Sequence, residues 1–279
     1  MPSKSTRTVV ITGASDGIGA AASRQLAAED VRLILVGRSL EKTSRLASEI
    51  GAEYHLADFT RLDDVRDLAA ALQASCDRID VLANNAGGMF SGPTTTVDGF
   101  EETFQVNHLA PYLLTNLLID VLLASRASVV NTASIAARLY GDLDFADLNN
   151  WQKFSPNRAY GNGKLANILF TKGLHQHFHA QGLSSVAFHP GVVATNFASA
   201  TDSYLNHLYH SVLKVFLVSP EQGGGRLRHF IDGRPDDAWV SGEYYVSPKK
   251  IGQTNPQAYD PAVVEKHWET SAALLGIQW

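Results

Sequence analysis

Six short β-branched runs recur along the first two thirds of the chain, and helical patterns fill the gaps between them. The runs are Thr8–Thr12, Arg32–Val36, Glu53–Ala57, Val81–Asn84, Ser128–Thr132 and Ser184–Phe188. Ile18, Ala21, Ala22 and Leu26 repeat at helical spacing after the first run, and Leu62, Val65, Leu68 and Leu72 after the third. This alternation builds βαβ units, and so a parallel sheet with helices on both faces. Several runs are apolar almost throughout, as strands buried on both faces are. The expected fold is α/β, a doubly wound parallel sheet of about seven strands.

No repeat, low-complexity tract or linker divides the 279 residues, so 1–279 reads as a single domain. With 45% hydrophobic and 18% charged residues, the chain can fill a large core. A net charge of −5 and no Lys/Arg-rich run argue against a nucleic-acid partner. The lone Cys76 allows no intrachain disulfide and fits a reducing compartment. The longest apolar runs are too short to span a bilayer, and no signal-peptide core follows the polar start. These features point to a soluble, cytoplasmic protein with no membrane span. His175 and His179 share a helical face but lack a third ligand nearby, so no metal site is expected.

Two segments break the alternation. Residues 138–158 are polar and rich in turn residues, too long for an ordinary strand–helix connection. Residues 195–218 carry an amphipathic stripe, Leu205, Leu208, Tyr209, Val212, Leu213 and Phe216. Both follow strands, so both fall at the sheet edge where doubly wound folds bind ligands. The first is expected to be an active-site-edge loop and the second a lid over an apolar substrate.

Gly13, Gly17 and Gly19 lie between the first strand and the first helix, in "VVITGASDGIGAAASRQL". Glycines there let the backbone turn sharply and approach a pyrophosphate, while the helix start offers free N–H groups. The second strand ends at Arg38, where such folds read the adenosine ribose. A guanidinium there pairs with a 2′-phosphate, so NADP(H) is favoured over NAD(H).

The stretch "RAYGNGKLANIL" sets Tyr160 and Lys164 four residues apart, on one helical face. A phenol ionises at about pH 10, and a neighbouring cation lowers that value. The tuned hydroxyl can then serve as general acid or base on a carbonyl or carbinol oxygen. Ser134, at the end of the fifth strand, offers a second hydroxyl to the same oxygen. Gly161 and Gly163 weaken the helix and are read as leaving room for cofactor and substrate.

These motifs, in this order, resemble the short-chain dehydrogenase/reductase family in its compact, single-domain Rossmann-fold branch. "TGASDGIG", "NNAG", Ser134, Y-x-x-x-K and "HPG" all match, and "YGNGKLANILF" with the long loop before it is similar to the retinol-dehydrogenase-like subgroup. The resemblance implies that Ser134, Tyr160 and Lys164 act as a catalytic triad and that Asn107 supports a proton relay to Lys164. It also implies cofactor contacts from Ser15, Asp16 and Ile18 in the glycine loop, and from Asp58 and Phe59 around the adenine. Asn85, Ala86 and Gly87 would follow, then Lys164 on the ribose, then Pro190, Gly191, Val193 and Thr195. NADP-preferring members often have a basic residue in the glycine loop, where this chain has Asp16.

The implied activity is reversible hydride transfer between a nicotinamide cofactor and a carbonyl or alcohol of a bulky apolar substrate. The alternative is a catalytically silent NADP(H)-binding redox sensor. Beyond Lys164 the helix carries a wide apolar arc that fits either a neighbouring helix of the same chain or a second subunit of a homodimer.

Overall fold

The computed structural model describes residues 7–191 and 218–279. Its sheet has eight strands: β1 (Arg7–Thr12), β2 (Val31–Gly37), β3 (Glu53–Leu56), β4 (Val81–Asn84), β5 (Ser128–Thr132), β6 (Ser184–Phe188), β7 (Tyr244–Ser247) and β8 (Lys250–Ile251). The order is β3-β2-β1-β4-β5-β6-β7-β8. All neighbours pair parallel except β7 and β8. The six expected runs are all strands, and the count exceeds expectation by the two-residue antiparallel β8. A strand that short carries no alternation to read.

Strand geometry decides how the core divides, because successive side chains point to opposite faces. On β1, Val10 enters one hydrophobic cluster, while Val9 and Ile11 enter the other. On β2, Ile34 and Val36 go to the first cluster, Leu33 and Leu35 to the second. Both faces are thus covered. The second cluster is closed by α1 (Gly17–Leu26), α2 (Leu40–Ile50) and α8 (Pro220–Asp232). The first is closed by α3 (Leu62–Ser75), α4 (Glu102–Leu117), α7 (Pro156–Phe178) and α9 (Pro261–Leu275). Two shorter helices, α5 (Ile119–Ser125) and α6 (Ala136–Leu139), complete the set introduced here.

The chain turns from the β1–β2–β3 half to the β4–β5–β6 half between β1 and β4. In a doubly wound sheet this reversal opens a crevice beyond the strand carboxyl ends. Three helices that flank it have explicit starts. Asp16 caps α1 by accepting from the Gly17 N–H at 2.8 Å, Ser39 caps α2, and Ser155 caps α7 ahead of Pro156. The expected loop at 138–158 is shorter than its polar sequence suggests. Residues to Leu139 extend α6, and Pro156 already begins α7.

The apolar arc of α7 is filled from within the chain. Trp268 of α9 packs on Phe170, and the Tyr112 hydroxyl of α4 donates to the Trp268 carbonyl at 2.8 Å. Trp279 in turn donates its indole N–H to the Tyr112 oxygen at 2.6 Å. Among the described residues, no single helix is long and apolar enough to cross a membrane.

Candidate active site

A cleft of about 700 Å3 opens at the carboxyl ends of the strands. Its floor is made where β1, β2, β4 and β5 end, at Gly13, Gly37, Asn85 and Thr132. The expected residues converge on it to a large extent. Ser15, Asp16, Gly17, Ile18, Arg38, Asp58, Phe59, Ala86, Gly87, Tyr160, Lys164 and Pro190 all line it. Gly19 does not. It packs instead against the Gly13 carbonyl and the Asn85 amide, closing helix on strand. Asn107, Ser134 and Gly191 stand outside the lining. Val193, Thr195 and the expected lid fall outside the described residues, apart from Val218 at its end.

The cleft suits a dinucleotide pyrophosphate. Gly13 has φ +64°, which L side chains rarely adopt, and a β-carbon there would meet the Ala86 backbone at 2.7 Å. Asp16 satisfies only the first N–H of α1, so the Ile18 and Gly19 N–H groups start the helix without intrahelical acceptors. Such a helix start with a glycine turn ahead of it favours an anion. The loop after β4 is braced from below. The Thr12 hydroxyl accepts from both Asn85 N–H and Ala86 N–H at 3.0 Å and donates to the Ala83 carbonyl. The Asn85 side-chain amide donates to the Thr12 carbonyl at 3.0 Å.

At the Arg38 end of the cleft the structure adds a cation that sequence reasoning missed. Lys42, one turn beyond Arg38 at the start of α2, lines the same cleft. Its ammonium contacts Asp16 at 2.7 Å, and this bond holds the Asp16 carboxyl below its ordinary pKa. The Asp16 charge is therefore met within the chain, while Arg38 is exposed beside it. The available signal was its place in the first turn of the helix that follows Arg38.

At the other end, Tyr160 is 9% exposed and Lys164 2%. The Lys164 Nζ lies 5.5 Å from the Tyr160 ring centroid and donates to the Thr132 carbonyl at 3.2 Å. Burial alone pushes the ammonium down to about 7. The sequence shows Lys164 only as a cation beside Tyr160; burial makes it a group that itself titrates near neutrality. Ser134 sits two residues beyond β5 and accepts from the Ala136 N–H at 3.2 Å. A hydroxyl that accepts from backbone keeps its own O–H free to donate.

Asn107 lies in a π turn, Gln105–Leu109, inside α4. Such turns often mark functional sites. Its side chain clamps the loop after β4, donating to the Gly88 carbonyl and accepting from the Gly88 N–H. A β-carbon on Gly87 would fall 2.5 Å from the Asn107 oxygen and 3.0 Å from the Lys164 Nζ, so the two side chains meet at that residue.

Gly161 and Gly163 do not open space for ligand. A β-carbon at 161 would lie 2.8 Å from the Tyr140 backbone and 2.9 Å from the Ala136 carbonyl; at 163 it would meet the Asn107 β-carbon at 3.2 Å. Both glycines let neighbouring segments approach the helix. Gly161→Ala should therefore cost up to about 2 kcal/mol, the excess of overpacking of about 1–3 kcal/mol over a helix gain of about 1. Gly163→Ala, with softer contact, should come out near neutral. Urea midpoints of the two variants check this, and equal midpoints would refute it.

The histidine cluster after Lys164 has ordinary partners. His175 bonds Ser241 and His177 pairs with Glu265, rather than facing only solvent. No group of three metal-ligating side chains occurs among the described residues.

Residues 7–205 match the short chain dehydrogenase family model, and the chain belongs to that family. It is 36% identical to human retinol dehydrogenase 13 across 99% of its own length and 88% of the relative's. It is 35% identical to a Streptomyces sp. (strain C5) protein provisionally named a daunorubicin C-13 ketoreductase, over 97% and 93% of the two lengths. A crystal structure of an uncharacterized Mycobacterium paratuberculosis protein superposes with a TM-score of 0.77 at 30% identity, covering 100% and 96% of the chains. Within the family the chain falls in the retinol-dehydrogenase-like subgroup, and it is an NAD(P)-dependent oxidoreductase.

Proposed function

We propose that this enzyme prefers NADP(H) and interconverts a carbonyl and an alcohol on a bulky, mainly apolar substrate. The observation that carries the chemistry is the buried Lys164 ammonium one helical turn from Tyr160, at the floor of the cleft. Gly13 to Gly19 would hold the pyrophosphate, with Arg38 and Lys42 toward the adenosine phosphate. When bound, the nicotinamide supplies or takes up the hydride. Tyr160 gives a proton to the substrate oxygen in reduction and takes it back in oxidation. Ser134, its O–H free, donates to the same oxygen and orients it. Lys164 stabilises the tyrosinate that proton donation leaves, and Asn107 keeps the loop after β4 seated beside Lys164. Leu139 at the end of α6 and Tyr140 and Trp151 in the loop before α7 are exposed, which supports an apolar substrate. Because α9 covers the arc of α7, the chain need not pair with a second copy through that helix.

The test is NADPH and NADH oxidation against a panel of ketones, aldehydes and quinones. NADPH should give the higher kcat/KM. Arg38→Asp and Lys42→Glu should each shift the ratio toward NADH by about tenfold, the value of one charge-assisted contact of about 1.5 kcal/mol. An unchanged ratio in both variants would overturn the preference.

A further inference from the structure

Asn162 stands between Tyr160 and Lys164 in sequence but on roughly the opposite side of α7. It is 1% exposed, and both ends of its amide are bonded. Its Oδ1 accepts from the Asp142 N–H at 2.7 Å, and its Nδ2 donates to the Asn150 Oδ1 at 2.6 Å. Asn150, also buried, has φ +59° and turns its own amide back to the Leu148 carbonyl. One side chain thus ties residues 142 and 150, the two sides of the long loop, to the catalytic turn.

The rest of that segment is held as tightly. Gly161 admits the Tyr140 backbone against α7. From the other side, Gln257 accepts from the Leu143 N–H and donates to the Leu143 carbonyl, both at 2.9 Å, and Asn255 donates to the Gly141 carbonyl at 2.6 Å. The segment so fixed continues directly from α6, and α6 begins two residues after Ser134 and packs on α7. Two hydroxyls from different elements must reach one substrate oxygen, and a misplacement of about 1 Å can cost 100-fold.

We infer that Asn162 is a positioning residue: by stapling 140–150 to α7 it sets the spacing between the Ser134 and Tyr160 hydroxyls. This rests on the function proposed above. Nothing in the Y-x-x-x-K pattern asks for an amide at this position; the assignment comes from the buried bonds to Asp142 and Asn150.

Asn162→Leu removes both bonds at similar volume. Its kcat per folded molecule should fall about 10- to 100-fold, while the NADPH dissociation constant from fluorescence titration stays within twofold. Amide exchange over residues 136–150 should speed up. Asn150→Gly, which keeps the positive φ, should reproduce the kcat loss, and the double variant should lose no more than either single one. Unchanged kcat, additive losses, or a matching loss of NADPH affinity would overturn the inference. If the wild-type enzyme turns over nothing in the panel, the functional reading fails instead. Exchange then decides the staple alone: unchanged protection in Asn162→Leu overturns it, and faster exchange upholds it.

Discussion

Tyr160→Phe should lower kcat by about 10²- to 10⁴-fold, the range that a positioned general acid contributes. The ring is buried in the cleft wall, and Phe preserves both its packing and its approach to the Lys164 ammonium. Only the hydroxyl is lost. The NADPH dissociation constant should therefore move by no more than a few fold. Stopped-flow NADPH oxidation at saturating cofactor, with fluorescence titration alongside, separates the two effects. A variant that retains more than a tenth of wild-type kcat would remove Tyr160 from the proton-transfer step.

The strands and the order of the motifs were legible in the sequence because their physical signals are local. A doubly buried parallel strand such as β2 is apolar from Leu33 to Val36, and a glycine turn before a helix announces itself. Arg38 was legible because its position follows from the strand before it. The signals that failed were those that depend on what another segment brings. Gly161 and Gly163 look like spare room until Tyr140, Ala136 and Asn107 are seen against them. The apolar arc of α7 could equally have faced a second subunit, since nothing in its periodicity distinguishes that from α9. The ion pair of Lys42 with Asp16 joins two elements 26 residues apart, so the acid in the glycine loop looked unopposed. The Thr132 carbonyl that receives Lys164 is backbone, and any residue type would supply it.

The same limit applies to the charge on Lys164, and it leads to the second large effect. Sequence shows a lysine beside a tyrosine; it does not show that the lysine is buried. Its ammonium ionises at about 7 in the folded protein, against about 10.4 in an unfolded chain. Below pH 7 the group is charged in both states, and the folded state bears the whole cost of burying it. Between about 7 and 10.4 the unfolded chain binds more protons, so wild-type stability rises with pH. Above that range both states are neutral and the cost is gone. Lys164→Met keeps the length of the stem and removes the charge, and Asn167 still donates to the Thr132 carbonyl at 3.3 Å, so no buried acceptor is stranded. The variant should be more stable than wild type by about 1–4 kcal/mol at pH 6, and the gap should close toward pH 10. Turnover should meanwhile fall at least 100-fold, because the tyrosinate loses the cation that stabilises it. Chemical denaturation at pH 6, 7.5 and 9.5 reads the first effect and the NADPH assay the second. A variant less stable than wild type at pH 6, or a stability gap that widens with rising pH, would show that the buried ammonium is already compensated in the fold; one that loses no activity would show that Tyr160 does not depend on it.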